Sequence, residues 1–203
     1  MKSIMTAVSP YLCEKIASSD CKILVKKSAP KEVPFKAYIY ATRPKKFYKC
    51  GAVSTSDELL WLANGKVEMG DGFMFWADGD EYQCLNGRII GEFICDKVYN
   101  LVNAFGGIMF ADENLNQLEP QLFRDMSCLA DEQTADYLGN KDGYGLHITA
   151  LKIYDKPKEL SEFRKPFIDY VPPKESKMVN PKIGISEYVN RPPQSWIYVE
   201  ELK

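Results

Sequence analysis

Residues Ile16 to Tyr40 read IASSDCKILVKKSAPKEVPFKAYIY, and their pattern decides the fold class. Ser18-Ser19-Asp20 ends a helix, because short polar side chains compete with the helical backbone for hydrogen bonds. Lys22 to Lys26 (KILVK) is then a strand, its Ile23, Leu24 and Val25 apolar throughout and so buried on both faces. Ser28-Ala29-Pro30-Lys31-Glu32 makes a turn. Phe35 to Ala41 alternates, with Phe35, Ala37 and Ile39 on one face and Lys36, Tyr38 and Tyr40 on the other. Upstream, Ser3 to Val8 reads as a first strand. Ser9-Pro10 starts the helix, Ser as a cap and Pro in the first turn, and Leu12 and Ile16 share one of its faces beside Cys13 and Ala17.

The same stretch opens the densest run of positive charge. From Lys22 to Lys49 there are nine Lys or Arg against one acid, Glu32, a balance of +8 that leaves -10 on the rest of a chain whose net charge is -2. A basic island on an acidic body fits a local anion site such as one for a phosphate backbone; the alternative is a solvated lysine-rich loop.

Length and composition set the outer bounds. With 203 residues, 45% hydrophobic and 27% charged, the chain has ordinary globular content and can bury a proper core. The six cysteines (Cys13, Cys21, Cys50, Cys84, Cys95, Cys128) show no CxxC spacing and no pairing with the single His147, so no metal is expected, and no cofactor. Met1-Lys2-Ser3 leads into a short apolar run broken at Ser9-Pro10, unlike a signal peptide, and no apolar run approaches the roughly 20 residues of a membrane helix. A reduced, cytoplasmic, non-membrane protein is expected.

Downstream the periodicity is β-like. Leu59-Leu60-Trp61-Leu62-Ala63 before Asn64-Gly65 reads as a hairpin strand and its turn, although Ser56-Asp57-Glu58 resembles a helix start. Phe73 to Trp76 with Asp78-Gly79-Asp80 reads as a second hairpin, and Asn86-Gly87 as a third turn. Trp61, Phe73, Phe75 and Trp76 are either core or base-stacking platforms. Arg88 to Val102 is the longest strand signal, with Gly91 a bulge or close-packing point. Ala104 to Asn140 is an acidic insertion, with loops at Gly106-Gly107 and Pro120 and a helix over Asp131 to Leu138 ended by Gly139. Gly145 to Tyr154 is another strand, followed by Asp155-Lys156-Pro157. The proline-rich stretch from Ser161 to Lys203 is an extended wrap ending in a strand at Ser195 to Val199. Without repeats, linkers or strand–helix alternation, the expected fold is one mixed α+β, mostly β domain, a small barrel.

Four blocks carry a family resemblance. Ile16 to Tyr40, GRIIGEFICDKV (Gly87 to Val98), YLGNKDGYGLHITALKIYDKPKELSEF (Tyr137 to Phe163) and RPPQSW (Arg191 to Trp196) together resemble an ASCH-domain protein of the PUA-like superfamily, in its bacterial and phage-encoded members. The resemblance implies a PUA-like β-barrel, its core at about 1–41, 87–103 and 143–160, with insertions at about 42–86 and 104–142 and a C-terminal wrap over 161–203. It places the first helix across one mouth, and the ligand cleft between that helix, the second strand and neighbouring barrel strands. It further implies RNA or nucleotide binding and, in some small members, hydrolysis of N4-acetylcytidine.

The family motif G-x-K-x-x-E-x-R falls, without gaps, on Ser19, Cys21, Leu24 and Lys26. Only Lys26 keeps the character of its position, as a point charge in place of a bidentate fork. The deacetylating members use a Lys and a Thr at the positions occupied by Cys21 and Leu24, and leucine cannot be a nucleophile. Lys22 is one residue away, but one step along a strand reverses the face. Cysteines that would form a metal knuckle in the tail of some relatives are missing here, where Ile197 follows the Trp.

The expected function is a non-catalytic nucleic-acid-binding module. Lys22, Lys26, Lys27, Lys36 and Arg43 would meet phosphates and Tyr38 or Tyr40 would stack on a base, with Ser9, Cys21 and Glu92 as cleft candidates. The alternatives are a hydrolase acting on a modified nucleoside such as an acylated cytidine, or an accessory domain with a protein partner. Cys21 beside Lys22 and near Lys26 is a candidate low-pKa thiol that would still need a base, while His147 on its apolar strand reads as structural.

Overall fold

The stretch KSIMTAV forms a strand because six consecutive side chains, from Ser3 to Val8, find cover on both faces of a sheet. This β1 (Lys2–Val8) belongs to a computed structural model that describes residues 1–43, 58–63, 65–71, 82–104, 107–111, 119–139, 141–166 and 187–202. In chain order there follow α1 (Pro10–Ala17), β2 (Ile23–Lys26), β3 (Phe35–Ala41), β4 (Glu58–Ala63), β5 (Lys66–Asp71), β6 (Tyr82–Cys84), β7 (Ile89–Cys95), β8 (Val98–Ala104) and β9 (Gly107–Ala111). Then come α2 (Pro120–Ser127), α3 (Asp131–Leu138), β10 (Gly143–His147), β11 (Thr149–Lys158), a 3-10 turn at Leu160–Glu162 and β12 (Trp196–Val199). The chain is mixed and mostly strand, as its periodicity predicts.

The described strands form three sheets, in the orders β11-β7-β3-β1-β12, β2-β10-β8-β9 and β5-β4-β6. β1 runs parallel to β3 and antiparallel to β12, while the other neighbours are antiparallel. The pairings among the described residues run in open rows and do not close into a ring. The first two sheets face each other across the main core, to which β1 and β3 give Ile4, Val8, Phe35, Ala37 and Ile39, β2 and β10 give Leu24 and Leu146, and α1 gives Cys13 and Ile16. α1 packs on β3, β4 and β5.

Both outer faces are covered as well. Phe163 and Val189 cover Met5, Tyr38, Tyr40 and Val199 on the first sheet; Phe123 of α2 and Leu138 of α3 cover Ile23, Val25 and Tyr99 on the second. The alternation expected in β3 is present, but its Lys36–Tyr38–Tyr40 face lies under the C-terminal segments.

Several boundaries differ from expectation. Arg88 to Val102 is two strands, β7 and β8, parted at Asp96-Lys97 and placed in different sheets. Gly145 to Tyr154 likewise straddles β10 and β11, parted at Ile148. Pro120 opens α2 as its first residue, since a proline there gives up an amide that has no helical partner. Gly107 begins β9. Gly91 fills both roles foreseen for it: the β3–β7 register slips by one residue between Ile39 and Tyr40, and a Cβ on Gly91 would sit 2.5 Å from the Lys152 carbonyl oxygen. The slip lets Ile90 and Phe93 both reach the main core. The β4–β5 hairpin, the Asn86-Gly87 turn with Gly87 at φ 82° and the Gly139 cap of α3 at φ 66° follow the sequence reading. The hairpin at Phe73–Trp76, the turn at Asp78-Gly79-Asp80, the Ser56-Asp57 helix start and most of the proline-rich tail lie outside the described residues.

Candidate functional site

A cavity of about 320 Å³ opens where β1 hands over to α1. Ala7, Val8 and Ser9 form one wall, Tyr11 and Leu12 of α1 another, Leu24, Val25 and Lys26 of β2 a third, and Leu129 with Gln133 and Tyr137 of α3 a fourth; Thr42 and Gln194 complete it. Ser9 caps α1 through its extended backbone only, and its hydroxyl makes no capping bond.

Lys26 is the centre of this site. It is 4% exposed, and its Nζ donates to the Ala7 carbonyl. Among the described residues no carboxylate pairs with it. Burial pushes its pKa down to about 8, with the Cys13 thiol acting in the other direction. Cys13 itself is held well above the usual thiol range by burial, so at neutral pH it stays uncharged and gives Lys26 no counter-ion. With a pKa near 8 the ammonium is still roughly nine parts in ten protonated at pH 7. A buried cation without an anion is costly unless something supplies the missing charge or acceptor.

The β2 wall is an edge. Leu24 points into the main core and Val25 into the cluster under α2 and α3, so consecutive residues on opposite faces share the cavity only along the strand's edge. Hydrogen-bond parity identifies what that edge presents. The His147 N–H donates toward β8, to the Lys97 carbonyl at 3.0 Å, and the Ile148 N–H donates toward β2, to the Lys22 carbonyl at 2.8 Å. In an antiparallel ladder this alternation continues, so Leu146 and Tyr144 bond to their partners Leu24 and Lys26. The N–H and C=O of Val25 therefore point away from β10, on the side where β2 has no neighbouring strand among the described residues.

Of the residues singled out by sequence, Ser9 and Lys26 reach the cavity. Lys27 is exposed beside it, its Nζ 5.3 Å from the centroid of the Tyr137 ring. Lys22 is exposed, and its backbone N–H donates to the Met126 carbonyl at 2.6 Å. The others stand elsewhere. Lys36 pairs with Glu201 at 2.6 Å and Glu92 at 3.7 Å, and the Tyr154 hydroxyl donates to Glu92 at 2.6 Å. Glu92 is thus a hydrogen-bonded strand carboxylate, so Lys22, Lys26 and Glu92 do not converge. Tyr38 is fully buried edge-on against Phe163, its hydroxyl accepting from the Leu202 N–H at 3.0 Å, and Tyr40 is 3% exposed; neither ring has a face for a base. Arg43 lies over the Gly87 turn.

Cys21 faces away from the cavity, its Sγ toward the Ile23 and Ser127 carbonyls at 3.3 and 3.7 Å. Burial first, then the neighbouring Cys128 thiol, pushes its pKa up to about 12, the opposite of an activated nucleophile. His147 bonds Asp96 through Nδ1 at 2.7 Å, as a structural residue would. Among the described residues no group of His, Cys, Asp or Glu stands where it would hold a metal, and no helix is long and apolar enough to cross a membrane. Tyr11, Thr42 and Gln133 carried no signal in sequence, and Tyr137 and Gln194 stood only within blocks of the family resemblance, since all five come from separate segments that only the fold brings together.

Comparison with protein-family models, with curated proteins and with solved structures finds no match to this chain. The geometry of the cavity therefore carries the functional assignment.

Proposed function

We propose that this chain is a non-catalytic RNA-binding module of the ASCH type in the PUA-like superfamily, and that the cavity receives one unpaired nucleotide. The observation that carries this is the buried Lys26 ammonium in a cavity wall with no carboxylate beside it. Such a group favours a ligand that brings an anion or a carbonyl acceptor. Two further facts support the family. The cavity lies between the first helix and the second strand, where the resemblance sets the ligand cleft. Ser19, which takes the position of the motif's glycine, has φ 65°, a conformation that glycine adopts most readily. Lys27 on the Tyr137 ring offers the next cation for the strand as it leaves the cavity.

A hydrolase is the second reading, favoured by one observation. Ser9 and Thr42 line the same cavity as Lys26, whose amine has a pKa of about 8, close to that of a useful general base. Turnover of acylated nucleosides that is lost in Ser9→Ala or Thr42→Val would establish it.

The binding reading is tested by fluorescence-anisotropy titration of single-stranded RNA at several salt concentrations. The log of affinity should fall against log salt with a slope of about -0.7 per phosphate contacted. Absence of salt-sensitive binding to any oligonucleotide overturns it.

A further inference from the structure

Independently of what the cavity binds, we propose that Cys21 and Cys128 are a dithiol site oxidised by low-molecular-weight disulfides, and that the bond they form ties the α2–α3 wall of the cavity to the chain entering β2. Three contacts bring the two residues together although they are far apart in sequence. The Lys22 N–H donates to the Met126 carbonyl at 2.6 Å, so the chain just after Cys21 is clamped to the last turn of α2. The Cys21 Sγ lies 3.7 Å from the carbonyl oxygen of Ser127, the residue bonded to Cys128. The two thiols themselves share a side-chain hydrogen bond. Cys128 is the C-cap of α2 at φ 54°, in the left-handed region where glycine is the usual residue. A side chain there is strained, and this one meets a second thiol. The other described cysteines turn elsewhere: Cys13 to the Val8 carbonyl, Cys84 to the Asn86 amide oxygen and Cys95 to the Lys97 carbonyl.

The pair is graded in access. Cys21 is buried and Cys128 half-buried, so an oxidant meets Cys128 first. The Cys128 thiol loses its proton and attacks one sulfur of the small disulfide, giving a mixed disulfide and releasing one small thiol. Cys21 then loses its proton, attacks the Cys128 sulfur and displaces the second small thiol. The protein gives up two electrons and two protons, and the small disulfide becomes two thiols. Burial holds both cysteines above the usual thiol range, so the reduced pair lacks the thiolate stabilisation that makes a disulfide strongly oxidising.

The bond bears on the cavity because Cys128 adjoins two of its walls. Its carbonyl accepts from the hydroxyl of Tyr11, a wall residue of α1, at 3.4 Å, and the next residue, Leu129, lines the cavity itself. α3 follows with Gln133 and Tyr137. Closure spans more than a hundred residues of chain and limits movement of this wall away from β2.

The test incubates the folded full chain with oxidised glutathione, blocks the remaining thiols and maps linked peptides by mass spectrometry. A Cys21–Cys128 pair should form, disappear with dithiothreitol and be lost in Cys128→Ser, which keeps a small polar side chain at the half-buried position. Amide exchange across α2 and α3 should slow by about tenfold in the oxidised wild type and stay unchanged in glutathione-treated Cys128→Ser. A mixed disulfide at Cys128 that Cys21 never displaces, pairing of Cys21 with another cysteine, or no oxidation of Cys21 overturns the site. Linkage without slower exchange overturns the tie to the cavity wall.

Discussion

Replacing Lys26 by Met tests whether the buried ammonium is held for ligand binding at the expense of stability. The difference between an ordinary lysine at 10.5 and about 8 here corresponds to about 3 kcal/mol by which burial disfavours the charged form. Methionine has similar length, fills the same space and carries no charge. It leaves the Ala7 carbonyl without its donor, a cost of about 1–2 kcal/mol that water in the cavity reduces. The Lys26→Met protein should therefore be about 1–2 kcal/mol more stable than the parent at pH 7 while losing affinity for RNA.

The pH dependence is the sharper observable. Between about 8 and 10.5 the unfolded chain holds the Lys26 proton and the folded chain releases it, so the contribution of Lys26 to stability rises with pH across that window. Below pH 8 both states are protonated and the penalty is constant. Buried thiols such as Cys21 and Cys95, and phenols such as Tyr40, have raised values and act in the opposite sense, losing stability as pH rises. They are common to both proteins and cancel in the difference. Urea denaturation of the two proteins at pH 7, 8, 9 and 10 should show the advantage of Met shrinking by up to about 3 kcal/mol toward pH 10.5. Parallel pH profiles would refute the burial of a charged Lys26.

Two further substitutions separate fold from site. Gly91→Ala places a Cβ 2.5 Å from the Lys152 carbonyl oxygen, where only backbone movement relieves the clash; destabilisation of about 2–3 kcal/mol, and a Tm lower by about 5–10 °C on calorimetry, is expected. Tyr38→Phe removes the acceptor of the Leu202 N–H and should cost about 1 kcal/mol in urea denaturation while leaving RNA affinity unchanged, since the ring is enclosed by Phe163. A marked loss of affinity in Tyr38→Phe would return that face of β3 to the site.

Local signals survived into the fold where one residue type has a strong backbone preference. Gly139 ends α3 in the left-handed region as its position predicts, and the alternation in Phe35–Ala41 matches β3 residue for residue. The signals failed where tertiary placement decides. Nothing in GRIIGEFICDKV marks Asp96-Lys97 as the place where the chain changes sheets, because both halves have the same β periodicity. Alternation in β3 separates two faces but cannot say that Phe163 and Val189 will cover the second. Lys26 at the end of KILVK reads as a cation of the cleft; its burial depends on α1, β1 and α3 closing around it. The basic island was legible as charge, yet Lys36 is consumed by Glu92 and Glu201, partners distant in sequence.

The position of β1 has a consequence for how the chain is made. β1 pairs with β3 on one side, Ser3 lying opposite Lys36, and with β12 on the other, Ser3 lying opposite Val199. During synthesis the first partner is available once β3 has left the ribosome, whereas the second edge of β1 stays bare until β12 has followed. In that interval the nascent chain carries an exposed, apolar strand edge of the kind that recruits other strands, and the Gln194 wall of the cavity is not yet in place. Completion of the cavity wall and cover for the β1 edge thus arrive together, with the docking of β12.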